Sequence, residues 1–320
     1  MTIANDDSAL PTAPRTYHFD DIDHYRSSIR TLNVDFTPLA RNITAKQVIL
    51  SLPGCDINFT KSFPRVVDAE LAPNCTAIGF SMDDHDVQIR FNGVDRDRAV
   101  IVAGSNGAAY NSVEHVEREC ASIIFAPSVE NRGWPVVPSQ FRIFETSLAA
   151  QRWLRELVHQ VLAVSSDPAS SPDGAARGAA MKESLLAGID AAFADATVPG
   201  WAARGNSVRK FKVFRQIIAA LHDDLANPVY SEELSKRLSL SVRTLHDAVQ
   251  QYRGMSLHRY LRLRRLWLVR KQLLAGADSV KTAALDFGFW HLSDFSRGYR
   301  ARFGETPSET LARGRKGSTT

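Results

Sequence analysis

The feature of this 320-residue sequence that most limits its fold is an internal repeat in its last third. The stretch ELSKRLSLSVRTLHDAVQQYRGMS covers residues 233–256, and TAALDFGFWHLSDFSRGYRARFGETP covers residues 282–307. The two copies align at an offset of 49 in their first halves, which pairs Ser239 with Gly288, and at an offset of 50 in their second halves. Apolar residues recur at spacings of three and four on both sides of each short turn. The pattern therefore predicts two helix-turn-helix units whose turns differ by one residue.

The second helix of each copy is predicted to have one apolar face and one polar face. Ser241 is expected to cap the first of these helices, since its hydroxyl can accept a hydrogen bond from a backbone N–H. The apolar residues expected to point inward are Val242, Leu245, Val249 and Tyr252 in the first copy, and Leu292, Phe295, Tyr299 and Phe303 in the second. A helix docked by its apolar face leaves its polar side chains free to enter the major groove of DNA.

The polar side chains of these two helices are candidates for reading DNA bases. They are Arg243, His246, Asp247 and Gln250 in the first copy, and Ser293 and Arg297 in the second. Arg can read guanine with two hydrogen bonds, and His and Gln can also bond to base edges. Asp247 suits this role less well, and is expected either to accept from cytosine or to orient Arg243.

A long basic segment separates the two copies. Residues 257–274 predict a helix about 27 Å long at 1.5 Å per residue. Such a strut could hold two reading helices about one DNA turn, roughly 34 Å, apart. Its candidate phosphate contacts are Arg259, Arg262 and Arg265, and Arg300 of the second copy is a fourth. A helical bundle with a solvated basic surface is the alternative interpretation, which two spaced copies and the strut disfavour.

Charge is divided unevenly along the chain. Residues 207–320 hold 21 Lys and Arg against 10 Asp and Glu, whereas residues 1–206 hold 18 against 25. A basic half beside an acidic half indicates that one half binds a polyanion and the other does not.

The remaining sequence predicts an α+β chain with a β-rich first half. Short runs rich in Val, Ile and Phe, bounded by turn residues, predict a β-rich domain over residues 15–145, built as a sandwich or barrel. Residues 146–200 predict connecting or dimerisation helices, in which Leu148, Trp153, Leu154, Leu157, Val158, Val161 and Leu162 share a face. Residues 201–314 form the predicted all-α domain, and residues 1–14 and 315–320 are expected to be disordered tails.

Residues 210–313 resemble the DNA-binding domain of AraC/XylS-type transcription regulators. The resemblance lies in SLSVRTLHDAVQQYRGMSLHRYLRLRRLWLVRKQLL and in SVKTAALDFGFWHLSDFSRGYRARFGETPSETLAR. It implies base-reading roles for Arg243, His246, Asp247, Leu292, Ser293, Ser296 and Arg297. Two departures are Ser239, where the family often has Gly, and Asp247, where it usually carries Arg or another polar residue.

The resemblance also implies a function for the whole chain. We expect a sequence-specific activator that binds double-stranded promoter DNA and contacts RNA polymerase. The β-rich half resembles, more loosely, the cupin-like sensory domains of this family, and implies a small-molecule effector or a homodimer contact. The effector residues stay unassigned.

Other classes of protein are weakly supported by the sequence. We find no P-loop, nucleophile elbow or carboxylate pair, so no catalytic residue and no cofactor are expected. His85 and His115 lack the clustered spacing of a metal site, and no metal is expected. The three cysteines, Cys55, Cys75 and Cys120, form no CxxC pair and fit a reducing cytoplasm. No apolar run is long enough to span a membrane, and the polar N-terminus does not predict a secretion signal.

Two alternatives remain open at this point. One is a cupin-type enzyme with an accessory helical domain. The other is a DNA binder that responds to no effector.

Overall fold

The computed structural model describes residues 13–83, 88–96, 100–129, 132–166, 174–198, 206–223 and 231–317. The chain divides into two compact units, one of residues 1–36, 43–91 and 95–204 and one of residues 37–42, 92–94 and 205–320. Among the described helices, none combines the length and the apolar character that a membrane crossing requires.

Two antiparallel sheets form the first unit, and the larger one has seven strands. In spatial order these are β1 (Arg15–Phe19), β3 (Ala45–Leu52), β4 (Cys55–Ser62), β11 (Arg118–Phe125), β6 (Thr76–Ser81), β9 (Val100–Ser105) and β12 (Arg142–Glu145). The smaller sheet has five strands, β2 (Leu32–Pro38), β5 (Arg65–Leu71), β10 (Ala109–Glu114), β7 (Ile89–Phe91) and β8 (Val94–Arg96). The short helix α1 (Ile22–Ser28) is capped by Asp21, whose carboxylate accepts from the amides of Asp23 and His24.

The main core of the first unit lies on one face of the seven-stranded sheet. Helices α2 (Leu148–Ser166) and α3 (Gly174–Ala194), in the segment expected to connect two domains, pack against that face. Leu50, Ile57 and Ile123 of the sheet are completely buried there, as are Leu154 and Leu185 of the helices. Every second side chain of these strands therefore points toward the helices, and those in the core are apolar. The side chains between them point to the opposite face of the sheet.

The predicted apolar face of α2 is partly wrong. Leu154, Val158 and Val161 are buried as expected, but Leu148 is 61% exposed and Trp153 is 48% exposed. The seven predicted residues span an arc of the helix wider than its contact with the core. Its edges therefore remain in solvent.

The second unit is built entirely of helices in the described residues after 205. They are α4 (Asn206–Asp223), α5 (Ser231–Leu238), α6 (Val242–Arg253), α7 (Leu257–Leu274), α8 (Val280–Asp286), α9 (Leu292–Phe303) and α10 (Pro307–Gly317). The α+β class predicted from the sequence is confirmed, with an antiparallel β domain first and an all-α domain last. The strut predicted over residues 257–274 is α7, with both ends where the sequence places them.

Each helix-turn-helix unit has its own core. In the first, Phe214 of α4 stacks on Tyr252 of α6 with ring centres 4.4 Å apart. The guanidinium of Arg253, which is completely buried, lies 4.8 Å from the rings of both Phe214 and Tyr260. Arg253 is thus part of the core and is held by cation–π contacts, which explains why a basic residue is tolerated there.

The second core gathers residues of α7, α8, α9 and α10. Leu266 and Val269 of α7 pack with Phe295, Tyr299 and Phe303 of α9. Glu305 closes this core because its carboxylate accepts hydrogen bonds from Arg270 of α7 and Arg313 of α10. The hydrogen bond from Arg313 lowers the pKa of Glu305 to about 2, so this carboxylate stays ionised at neutral pH.

Candidate functional site

The two predicted helix-turn-helix units have equivalent turns. Ser239 and Gly288 both adopt the left-handed conformation, with φ of 54° and 75°. The next amide after each, that of Leu240 or Phe289, donates to the carbonyl five residues earlier at 3.0 Å. These pairs confirm the offset of 49 in the first half of each unit.

Beyond the turn the offset changes to 50, as predicted. The first intrahelical hydrogen bond of α6 runs from the amide of Leu245 to the Ser241 carbonyl, and that of α9 from Phe295 to the His291 carbonyl. Both helices end at a left-handed glycine, Gly254 or Gly304. One residue has therefore been added to the second turn, between Phe289 and His291.

That added residue is Trp290. Its side chain is 65% exposed, the highest value among the large apolar side chains of the described residues. Sequence reasoning missed Trp290, although the change of offset between the two copies pointed to it. The helix start also differs, since Ser241 accepts from the Thr244 amide whereas the side chain of His291 makes no capping hydrogen bond.

The polar face of α6 is ordered by contacts between its own side chains and by α5. Arg243 and Asp247 form an ion pair at 3.5 Å with side chains 91% and 72% exposed, which is the contact that an orienting role of Asp247 requires. His246 is half-buried, and its Nε2 lies 3.3 Å from the Ser231 hydroxyl of α5. Gln250 is exposed. The predicted inward position of Val242 is wrong. Val242 lies in the first turn of α6, at the edge of its packed face, and is 37% exposed.

The polar face of α9 has a related arrangement. Arg297 is 80% exposed and pairs with Asp294 one turn earlier. Ser293 is exposed and Ser296 is half-buried on the same helix. Leu292 is half-buried and packs against the second core, as its predicted inward position requires. That packing leaves Leu292 less able to serve as a base reader.

Arg262 of α7 supports α9 directly. Its guanidinium Nη2 lies 3.5 Å from the Asp294 carbonyl of α9. It also occupies the space beside Gly298, where an added Cβ would come within 2.5 Å of the same nitrogen. Arg262 therefore helps to position α9, and Gly298 makes room for its guanidinium.

The other candidate phosphate contacts differ in exposure. Arg259 and Arg300 are exposed, and Arg262 is exposed beside α9. Arg265 is half-buried, and this burial lowers its pKa. Arg259 and Arg300 are therefore better placed than Arg265 to meet a phosphate.

A second candidate site is a cavity of about 540 Å³ inside the first unit. Side chains of both sheets and of α1 and α2 line it, and all lie within the first unit. On its wall Arg65 and Glu114 form a buried ion pair at 3.1 Å, and Arg65 also donates to the Tyr25 hydroxyl at 3.0 Å. A cavity of this volume is typical of small-molecule sites in proteins.

The described residues contain no group of three or more His, Cys, Asp and Glu that could hold a metal ion. His115 is exposed, and His85 lies outside the described residues.

Comparisons with known proteins find a matching family model and several similar transcriptional activators. Residues 234–313 match a family model described as a helix-turn-helix domain. The XylDLEGF operon transcriptional activator 3 of Pseudomonas putida is 34% identical over 103 residues, which cover 31% of each chain. The HTH-type transcriptional activator RhaS of Escherichia fergusonii is 38% identical over 102 residues, covering 32% of this chain and 36% of RhaS. The match thus spans about a third of these curated relatives.

A solved structure is also similar to about a third of this chain. It is a probable AraC family transcriptional regulator from Rhodopseudomonas palustris, 35% identical, with a TM-score of 0.30 and coverage of 32% of this chain and 97% of that one. Taken together, the family match, the curated relatives and the two equivalent units assign the C-terminal domain of this chain to the AraC/XylS family of helix-turn-helix domains.

Proposed function

We propose that the chain is a sequence-specific DNA-binding transcriptional regulator, acting as an activator, whose N-terminal unit binds a small-molecule effector. The observation that carries the proposal is the pair of equivalent helix-turn-helix units, each with an exposed polar face on its second helix. Those faces carry Arg243 and Gln250 on α6 and Ser293 and Arg297 on α9. The names of the relatives, which are transcriptional activators, support the sign of regulation.

In this proposal α6 and α9 enter successive major grooves on one side of promoter DNA. Helix α7, with 18 residues, is about 27 Å long at 1.5 Å per residue, close to the roughly 34 Å of one DNA turn. Arg243 and Arg297, each held by a neighbouring carboxylate, read base edges. Arg259 and Arg300 contact phosphates, which fix the position of the domain without selecting sequence.

The cavity supports the sensory half of the proposal. Its volume suits one small ligand, and its walls carry both hydrogen-bonding and apolar side chains. Contact with RNA polymerase and self-association through α2 and α3 are further expectations of the proposal. The exposed Trp153 on α2 is a candidate contact for self-association.

The test is selection of bound duplexes from a random library by the full chain, followed by footprinting on the selected sequence. We expect protection of two major grooves about one turn apart. Replacing Arg297 with Ala should relax the choice of base at one position and cost about 1–3 kcal/mol of binding free energy, because a bidentate contact to a base is lost.

The matched control is Arg209→Ala, which removes an exposed arginine of α4 outside the reading helices. It should leave the selected sequence unchanged. Selection of no consensus sequence, or a footprint confined to one groove, would contradict the proposal.

A further inference from the structure

We propose that the cavity of the N-terminal unit binds an uncharged ring compound that carries hydroxyl or amide groups on one side and is apolar on the other. This inference rests on the effector binding proposed above and specifies its chemistry. It follows from the different character of the two cavity walls and from the pairing of the buried charges.

The first wall belongs to the seven-stranded sheet and carries rows of polar side chains beside apolar ones such as Ile49. Gln47, Thr60, Cys120 and Ser81 are successive cross-strand neighbours on β3, β4, β11 and β6, and all four line the cavity. They form one row of amide, hydroxyl and thiol groups across four strands. Because burial raises the pKa of Cys120 to about 11, this row carries no charge at neutral pH.

A second row lies beside the first. Asn58 of β4 is opposite Ser122 of β11, which is opposite Gly79 of β6, and these also line the cavity. The Gln47 amide donates to the Asn58 side-chain oxygen at 3.0 Å, and the Ser28 hydroxyl donates to Gln47 at 3.0 Å. This chain of hydrogen bonds fixes the orientation of the two amides. The wall therefore offers a preorganised set of neutral donors and acceptors.

The opposite wall belongs to the five-stranded sheet; it is apolar along β2 and β7 and carries the buried ion pair of β5 and β10. Its cavity-lining side chains include Val34 and Phe36 of β2, Val67 of β5, and Ile89 and Phe91 of β7. Aromatic and branched apolar side chains favour contact with a ring or with carbon-bound hydrogen atoms. A ligand that satisfies both walls must itself have two chemically different sides.

The buried charges of the cavity are already compensated. Arg65 and Glu114 have side chains only 7% and 11% exposed and pair at 3.1 Å, with Ser112 donating to the second Glu114 oxygen. Arg118 and Asp83 are 8% exposed each and pair at 3.3 Å. An ionised ligand would enter this compensated region without a buried partner, which is strongly unfavourable.

The other charged residues of the lining offer no buried partner to an anion. Arg15 and Arg30 are exposed, so solvent and salt screen them. Arg155 donates to the backbone carbonyl of Asp83. Asp56 is half-buried on the polar wall, where it would repel an anion and attract a cation, so the cationic probe below tests whether solvent screens its carboxylate.

The experiment measures binding of three probes of nearly equal shape to the full chain by isothermal titration calorimetry. The probes are cinnamamide, which is neutral, cinnamate, which is an anion, and cinnamylammonium, which is a cation. We expect cinnamamide to bind one molecule per chain and at least about tenfold more tightly than either ion. Tighter or equal binding of an ion, or no binding of cinnamamide at millimolar concentration, would overturn the inference.

Two variants test the polar wall. Asn58→Leu removes the amide of the second row. Thr60→Val removes a hydroxyl with almost no change of shape, so the test does not depend on Asn58→Leu folding correctly. Each should weaken cinnamamide binding by about fivefold to tenfold, since a buried hydrogen-bonding partner is lost. The control is Gln160→Leu, which removes an exposed amide on α2 outside the cavity lining. Equal binding by Thr60→Val, Gln160→Leu and the unmodified chain would count against the polar wall as a recognition surface.

DNA binding is measured separately on the same preparation. If the chain selects a DNA sequence but binds none of the probes, the ligand inference alone fails. If it binds cinnamamide but selects no DNA sequence, the DNA-binding part of the proposed function fails and the ligand inference stands.

Discussion

At the scale of single residues, the most informative side chain is Trp290. It is the one residue by which the second turn exceeds the first, and it lies directly before the helix that carries Arg297. An indole that is 65% exposed leaves a large apolar surface in water. We expect DNA to cover it, because the proposed interface begins at the same end of α9.

Replacing Trp290 with Ala should therefore weaken DNA binding by about fivefold to tenfold without changing its salt dependence, since the lost contact is apolar. Trp290→Phe should keep most of the affinity. Binding should also quench part of the tryptophan fluorescence, and that part should disappear in Trp290→Phe.

Trp153→Phe is the control for the fluorescence measurement, because Trp153 is 48% exposed on α2 of the other unit. The tryptophan fluorescence of this variant should be quenched by DNA as much as that of the unmodified chain. An unchanged affinity of Trp290→Ala would show that the indole stays in solvent.

The sequence predicted the exposure of several candidate interface residues but not their mutual contacts. Exposure of Arg243 and Arg297 follows from helical spacing alone, and the structure shows both exposed. The contact of His246 with Ser231 depends on how α5 crosses α6, which spacing within one helix does not specify. The same holds for Arg262, whose position depends on the absence of a side chain at Gly298.

At the scale of elements, the two turns solve one geometric problem with different residues. Both require a left-handed residue between two helices, and this conformation is strained for any residue with a Cβ. Gly288 adopts it freely, whereas Ser239 carries the strain. The family resemblance had marked Ser239 as a departure, and the structure shows that the backbone is nevertheless unchanged.

Replacing Ser239 with Gly should raise the free energy of unfolding of the C-terminal unit by about 0.5–1 kcal/mol, because relief of strain exceeds the entropy that Gly adds to the unfolded chain. Replacing Gly288 with Ala should lower it by about 1–2 kcal/mol. Chemical denaturation followed by circular dichroism measures both changes. If Ser239→Gly instead lowers the free energy of unfolding, the serine side chain stabilises the fold by more than its backbone strain destabilises it.

Helices were easier to predict than strands for a physical reason. The ends of α7 follow from Ser256, which caps its first turn, and from the Ala-Gly pair after its last. Strand β4 has the sequence CDINFTKS, which alternates apolar and polar residues without the branched-residue run that marks a buried strand. Its polar residues Asp56, Asn58 and Thr60 face the cavity rather than solvent, and no pattern within a single strand distinguishes a cavity from solvent.

At the scale of the whole molecule, charge separates the two halves. Residues 207–320 carry 21 Lys and Arg against 10 Asp and Glu, an excess that a polyanion would neutralise on binding. The affinity of the full chain for its DNA should therefore fall steeply as salt rises.

Arg259→Ala and Arg300→Ala should each reduce the slope of log affinity against log salt by about 0.9, because each removes one phosphate contact and the counterion it displaces. Neither should change the preferred sequence. Arg152→Ala, at an exposed position of α2, is the control and should leave the slope unchanged. If either variant instead changes the base preference at one position of the bound sequence, the replaced arginine reads that base.

The seven-stranded sheet has its apolar core on the side of α2 and α3 and its polar rows on the side of the cavity. In the proposed function, stability and ligand choice therefore belong to opposite faces of the same strands. Substitutions among the cavity residues should then alter which molecule is accepted while the packing beneath the helices stays intact. This separation makes the N-terminal unit a scaffold on which a new chemical signal can be selected without redesigning the fold.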